Sequence, residues 1–132
     1  MTHHLQFFIG GRWVDPVQPR TLDVIDPSTE EAFTQISIGS AADVDAAVAA
    51  AKAAFSSFST TTPAERRDLL RKIVKVYDKR AEDLAQAVSR EMGAPIAYAR
   101  DAQVWVGRAH LEKMIEVLGS FAFEQQIGRA HV

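Results

Sequence analysis

At Gly39 the hydrophobic period of the chain changes from about 2 residues to about 3.6, and this break sets the architecture. Before it, apolar residues come in short β-rich runs separated by turn residues. After it, they recur at helical spacing almost to the end. Parallel strands need a crossover, usually helical, between them, so strands that all precede the helices must pair as antiparallel hairpins. The expected class is α+β: two antiparallel β-hairpins followed by three long α-helices.

The hairpins are legible from their turns. Gln6-Phe7-Phe8-Ile9 and Arg12-Trp13-Val14 flank Gly10-Gly11, and a two-residue hairpin turn favours positive φ at both central positions. Pro16 and Pro19 end that pairing. Leu22 to Ile25 and Phe33 to Ile38 flank Asp26-Pro27-Ser28-Thr29, where proline fixes φ and Asp26 and Ser28 can bond nearby backbone N–H groups. Together the strands occupy about residues 6–38.

Three helices are expected, over about 41–58, 63–92 and 95–121. Ser40 with Asp43 reads as a capping box for the first. Its stripe is Val44, Ala47, Val48, Ala51, Phe55 and Phe58. Thr62, Pro63 and Glu65 mark the second start, Asp68 and Lys72 form an i,i+4 pair on it, and Gly93 stops it. Pro95 opens the third. Gly107 inside that helix costs roughly 1 kcal/mol against alanine, which points to close packing with a neighbour.

With 15 basic against 17 acidic residues, the chain has no positive excess to neutralise a phosphate backbone or an anionic membrane. Neither nucleic acid nor membrane is an expected partner, and no apolar run reaches the ~20 residues of a spanning helix. No signal peptide is visible, so the cytosol is the expected compartment. Cysteine is absent from the 132 residues, which excludes disulfides and a thiolate nucleophile within the chain. His3 and His4 sit near the terminus and read as disordered. His110 has no second ligand at metal spacing. No Gly-x-Ser-x-Gly occurs, and no Gly-x-Gly-x-x-Gly joins a strand to a helix. From the residues alone, no catalytic or cofactor-binding residue is assigned.

Four segments taken in order resemble the N-terminal part of the aldehyde dehydrogenase superfamily. They are Phe8-Ile9-Gly10-Gly11-Arg12-Trp13-Val14 and Val24-Ile25-Asp26-Pro27-Ser28-Thr29-Glu30-Glu31, then Ala42 through Val48 to Ala53-Ala54-Phe55, then Glu65-Arg66 through Leu69-Leu70 to Glu91-Met92-Gly93-Ala94-Pro95. Family members usually carry Asn where Asp26 stands, a change that keeps the turn chemistry. The resemblance implies a parent of Rossmann-like α/β fold that oxidises an aldehyde to a carboxylate with NAD or NADP, usually as a homo-oligomer. The family's catalytic cysteine, glutamate and asparagine have no counterparts in this chain. It also implies a partial monovalent-cation site from the backbone oxygens of Val24 and Ile25 with the Glu91 carboxylate; Glu91 reads equally as a solvated helix-end residue.

The leading expectation is a truncated segment of such an enzyme over residues 1–126, inert alone and binding no cofactor, whose uncovered helix faces promote self-association. The alternative is a stand-alone interaction module derived from the family. Residues 127–132, Ile-Gly-Arg-Ala-His-Val, match the translation of a common short-read sequencing adapter and are expected to be a non-native tail.

Overall fold

The computed structural model describes residues 3–124, 127 and 128. Two separate two-stranded antiparallel sheets come first: β1 (Phe7–Ile9) with β2 (Arg12–Val14), and β3 (Thr21–Asp26) with β4 (Glu31–Ser37). The helices follow: α1 (Ala41–Phe58), α2 (Pro63–Met92), a short α3 (Ile96–Tyr98), a π-helical turn (Ala99–Val104) and α4 (Trp105–Ser120). Among the described residues no helix is long and apolar enough to cross a membrane.

The turns behave as their sequences predict. Gly10 and Gly11 take φ of +61° and +79° in the β1–β2 turn. Asp26 Oδ1 accepts from the Ser28 N–H at 2.8 Å, as its side chain suggests. Between β3 and β4 the register slips: Val24 faces Thr34 but Ile25 faces Ala32, so Phe33 is the extra residue of a bulge. That placement seats the Phe33 ring under the Arg90 guanidinium of α2, 4.1 Å from its centroid.

Both caps form. Asp43 accepts from the Ser40 N–H at 2.7 Å, and Glu65 accepts from the Thr62 N–H at 2.7 Å while Thr62 Oγ1 accepts from the Glu65 N–H at 3.2 Å. Gly93 ends α2 in the left-handed region, φ +69°, as the sequence predicts. Two local expectations need correction. Asp68 pairs with Arg71 at 2.6 Å, one residue short of Lys72. The terminal segment is also not loose at His3, whose ring stacks on Trp13 with centroids 4.2 Å apart. Its Nδ1 lies 2.6 Å from Gln6 Oε1.

The third helix, expected unbroken over about 95–121, starts at Ile96, widens into the π turn at Ala99–Val104 and ends at Ser120. Packing supplies the reason. Ala99 and Val104 both join Ala85 of α2 in the core. Five residues apart in an α-helix, they would lie roughly 140° round the axis from each other. The wider turn brings both to one face. Tyr77 of α2 donates to the Val104 carbonyl at 2.7 Å, and a Cβ on Gly107 would lie 2.4 Å from that hydroxyl. Gly107 is therefore the close approach its position in the sequence implied.

In the expected tail only Ile127 and Gly128 are described, and Ile127 is 92% exposed. Residues 129–132, like 125 and 126, lie outside the described residues.

Candidate functional site

A cleft of about 1010 Å³ opens between the β3–β4 hairpin and the last turns of α2. Val24, Ile25, Asp26, Phe33, Arg90 and Glu91 all line it. The structure thus brings the three residues of the expected cation site, Val24, Ile25 and Glu91, to one cleft. Its walls are fixed by two contacts. A Cβ on Gly93 would lie 2.9 Å from the Pro27 ring, so the α2 terminus sits directly on the hairpin turn. Ser89 Oγ donates to the Ala94 carbonyl at 2.7 Å, which closes the helix end.

The donor set suits a hard monovalent cation in kind, being all oxygen. It is thin in number, and the Arg90 guanidinium in the same cleft opposes a second positive charge. Glu91 is exposed and joins no ion pair among the described residues. Among them no group of three or more His, Asp or Glu side chains is arranged to hold a metal ion.

A dinucleotide does not fit the residues present. Such a cofactor needs a strand, a glycine-rich turn and a helix whose free N–H groups face the pyrophosphate. The one place where a described strand leads into a helix is β4 to α1, through Ile38, Gly39 and Ser40. There the helix N-terminus already holds an anion. Asp43, only 6% exposed, accepts from the Val17 N–H at 2.9 Å and from the Ser40 hydroxyl at 2.7 Å, besides its cap bond. The Val17 and Ser40 N–H groups hold its carboxyl below the ordinary value of 3.8. A pyrophosphate there would meet a fixed negative charge. The remaining titratable clusters are structural. Arg100 forks onto Glu82 at 2.8 and 2.6 Å and, with Gln86, holds that carboxyl down at about 2. Arg108 joins Asp78 and Glu112, both at 2.7 Å. His110 is exposed on α4.

Sequence reasoning named Asp43 as a cap and missed its second role, tying α1 to the chain after β2. Nothing at residues 15–19 announces the Val17 N–H as a donor. It also missed Arg90 over Phe33, because the bulge that aims Phe33 has no distinct local signature.

Residues 13–128 match the aldehyde dehydrogenase family. A protein of Staphylococcus epidermidis named as an aldehyde dehydrogenase is 39% identical over 97% of this chain, which covers 27% of that relative. Among solved structures, an aldehyde dehydrogenase from Bartonella henselae is 44% identical with a TM-score of 0.90, over 96% of this chain and 26% of its own. A variant of aldehyde dehydrogenase C from Pseudomonas syringae, in complex with NAD+ and octanal, is 40% identical with a TM-score of 0.92 at the same coverages. The chain spans about a quarter of the length of these relatives. Two antiparallel hairpins, a capped helical succession and this match over nearly all its residues place the chain in the aldehyde dehydrogenase family.

Proposed function

We propose that this chain is a bracing section of an NAD(P)-dependent aldehyde dehydrogenase, one that carries neither the dinucleotide cradle nor the reacting groups. The observation that carries this reading is the mismatch between coverage and chemistry. Nearly the whole chain aligns with about a quarter of each relative, and its 132 residues hold no cysteine. Aldehyde oxidation by a thiohemiacetal route needs a nucleophile to form the tetrahedral adduct from which hydride leaves. A carboxylate such as Glu91 can move a proton but cannot stand in for that sulfur. The NAD+ bound in the Pseudomonas syringae relative supports NAD as the cofactor of the whole enzyme.

In this reading the chain's own task is mechanical. The α2–α4 pair supplies a stiff rod, and the Gly93–Pro27 contact sets the β3–β4 hairpin on its end. Calorimetric titration with NAD tests the reading: the 132-residue chain should give no saturable heat, and a stoichiometric isotherm would overturn it. Replacing the matching section of the Bartonella henselae enzyme with this chain should preserve NAD-dependent aldehyde oxidation.

A further inference from the structure

The β3–β4 bulge and the last turns of α2 converge on one charge. Phe33, the extra residue of the bulge, lies between Ala32, opposite Ile25, and Thr34, opposite Val24. Its ring holds the Arg90 guanidinium 4.1 Å from its centroid, well inside the roughly 6 Å over which a ring face attracts a cation. Bulges commonly re-aim one side chain, and here the re-aimed ring fixes a positive group. Paired strands lie about 4.8 Å apart, so the guanidinium is anchored beside the stretch of β3 that carries the Val24 and Ile25 oxygens. Glu91 follows Arg90 directly in the chain, and all of these side chains and oxygens belong to residues that line the same cleft.

No carboxylate cancels this charge. Arg71, Arg80, Arg100 and Arg108 each lie on an Asp or Glu, whereas Arg90 joins no ion pair among the described residues. A guanidinium is charged at every ordinary pH, and all its polar hydrogens are donors suited to oxygen acceptors. Hard cations gather roughly six oxygen ligands. The cleft offers two backbone oxygens and one carboxylate, set against a fixed like charge within the Debye length of about 10 Å at 0.1 M salt. The residues present therefore do not fit a monovalent metal ion. We propose that Arg90 is the cleft's own cation: seated on Phe33, it takes the place such an ion would take between the β3–β4 hairpin and α2, and the hairpin docks without one.

Thermal melting followed by circular dichroism tests this, with sodium or potassium chloride exchanged for choline chloride at constant ionic strength. The unmodified chain and Arg90→Lys should respond alike and weakly, because lysine keeps the charge. Arg90→Met removes it. The salt concentration that gives half of the full stabilisation should then fall roughly tenfold, the effect of withdrawing one like charge from about 10 Å at an effective dielectric of about 20. Glu91→Gln in the Arg90→Met background should abolish that gain. Phe33→Leu frees the guanidinium from its seat without altering α2; it should show a gain in the same direction, and it carries the test if Arg90→Met does not fold. An Arg90→Met chain no more responsive than the unmodified one would overturn the proposal. So would an Arg90→Lys chain as responsive as Arg90→Met, the mark of a packing role without charge, or a gain that survives Glu91→Gln. The readout involves neither NAD nor aldehyde, so its outcome is independent of the bracing role.

Discussion

Among the described residues the buried apolar ones, Val74, Ala85, Ala99 and Val104, all belong to α2 and the π turn, whereas from β1 to α1 the one buried residue is a carboxylate, Asp43. The helical half is therefore held by apolar packing with a shell of Arg–carboxylate bridges around it. The strand half is held by hydrogen bonds at junctions: Asp43 to Val17 and Ser40, Ser37 to the carbonyls of His4 and Leu5, and Gln6 to Asp15. Two-stranded sheets are marginal in water by themselves, so these junctions decide whether the strand half persists. One sequence thus contains a region that carries its own core and a region that depends on what it is attached to.

The largest effect is expected where the packed half is tightest. Gly107→Ala drives a methyl into the Tyr77 hydroxyl and should cost about 2 kcal/mol of unfolding free energy by denaturant titration. Tyr77→Phe alone should cost about 1 kcal/mol by losing the bond to Val104. The two changes together should cost less than their sum, because removing the hydroxyl relieves most of the clash. Full additivity would mean that Tyr77 is not what Gly107 accommodates.

Acid should separate the halves next. The Asp43 carboxyl is held below its ordinary value in the fold, so its contribution is present above the unfolded value of 3.8 and is lost as pH falls through the lower folded value. Glu82, ordinarily at 4.5, is held at about 2, so its fork with Arg100 is lost as pH falls toward that value. Hydrogen exchange followed downward from neutral pH should expose the Val17 and Ser40 amides before those at the α2–π contact. Simultaneous loss would show that the halves unfold as one unit.

Smaller effects belong to the cleft and the tail. Replacing choline chloride by sodium or potassium chloride should stabilise the chain by no more than about 0.4 kcal/mol, the value for a ligand present at its own Kd. Glu91→Gln should remove that increment. A larger one that survives Glu91→Gln would place the ion elsewhere. Deleting residues 127–132 should change stability by less than about 0.5 kcal/mol, since Ile127 packs on nothing.

What the sequence disclosed follows the same division. Caps, turn glycines and the switch of period at Gly39 are local, and their structures match: Thr62 and Glu65 close their box, and Gly93 lies at φ +69°. The close approach at Gly107 was also legible, because glycine inside a helix demands a reason. The π turn was not, since Ala99 and Val104 reach one face only through their shared contact with Ala85, a relation between distant segments. Asp68 has cations at both i+3 and i+4, Arg71 and Lys72, and spacing along one helix does not choose between them. The cleft could be located in part, because the family resemblance named Val24, Ile25 and Glu91. The Arg90 that opposes a cation there is aimed by a bulge whose partner strand had to be known first.

In the proposed role the chain braces an aldehyde dehydrogenase without performing its chemistry. The most direct measurement is NADH absorbance during incubation of the purified chain, freed of host enzymes, with NAD and a panel of aldehydes. No NADH above a protein-free control is expected at any aldehyde. Sustained NADH formation proportional to the amount of chain would contradict it, since 132 residues without a thiol would then hold a complete active site.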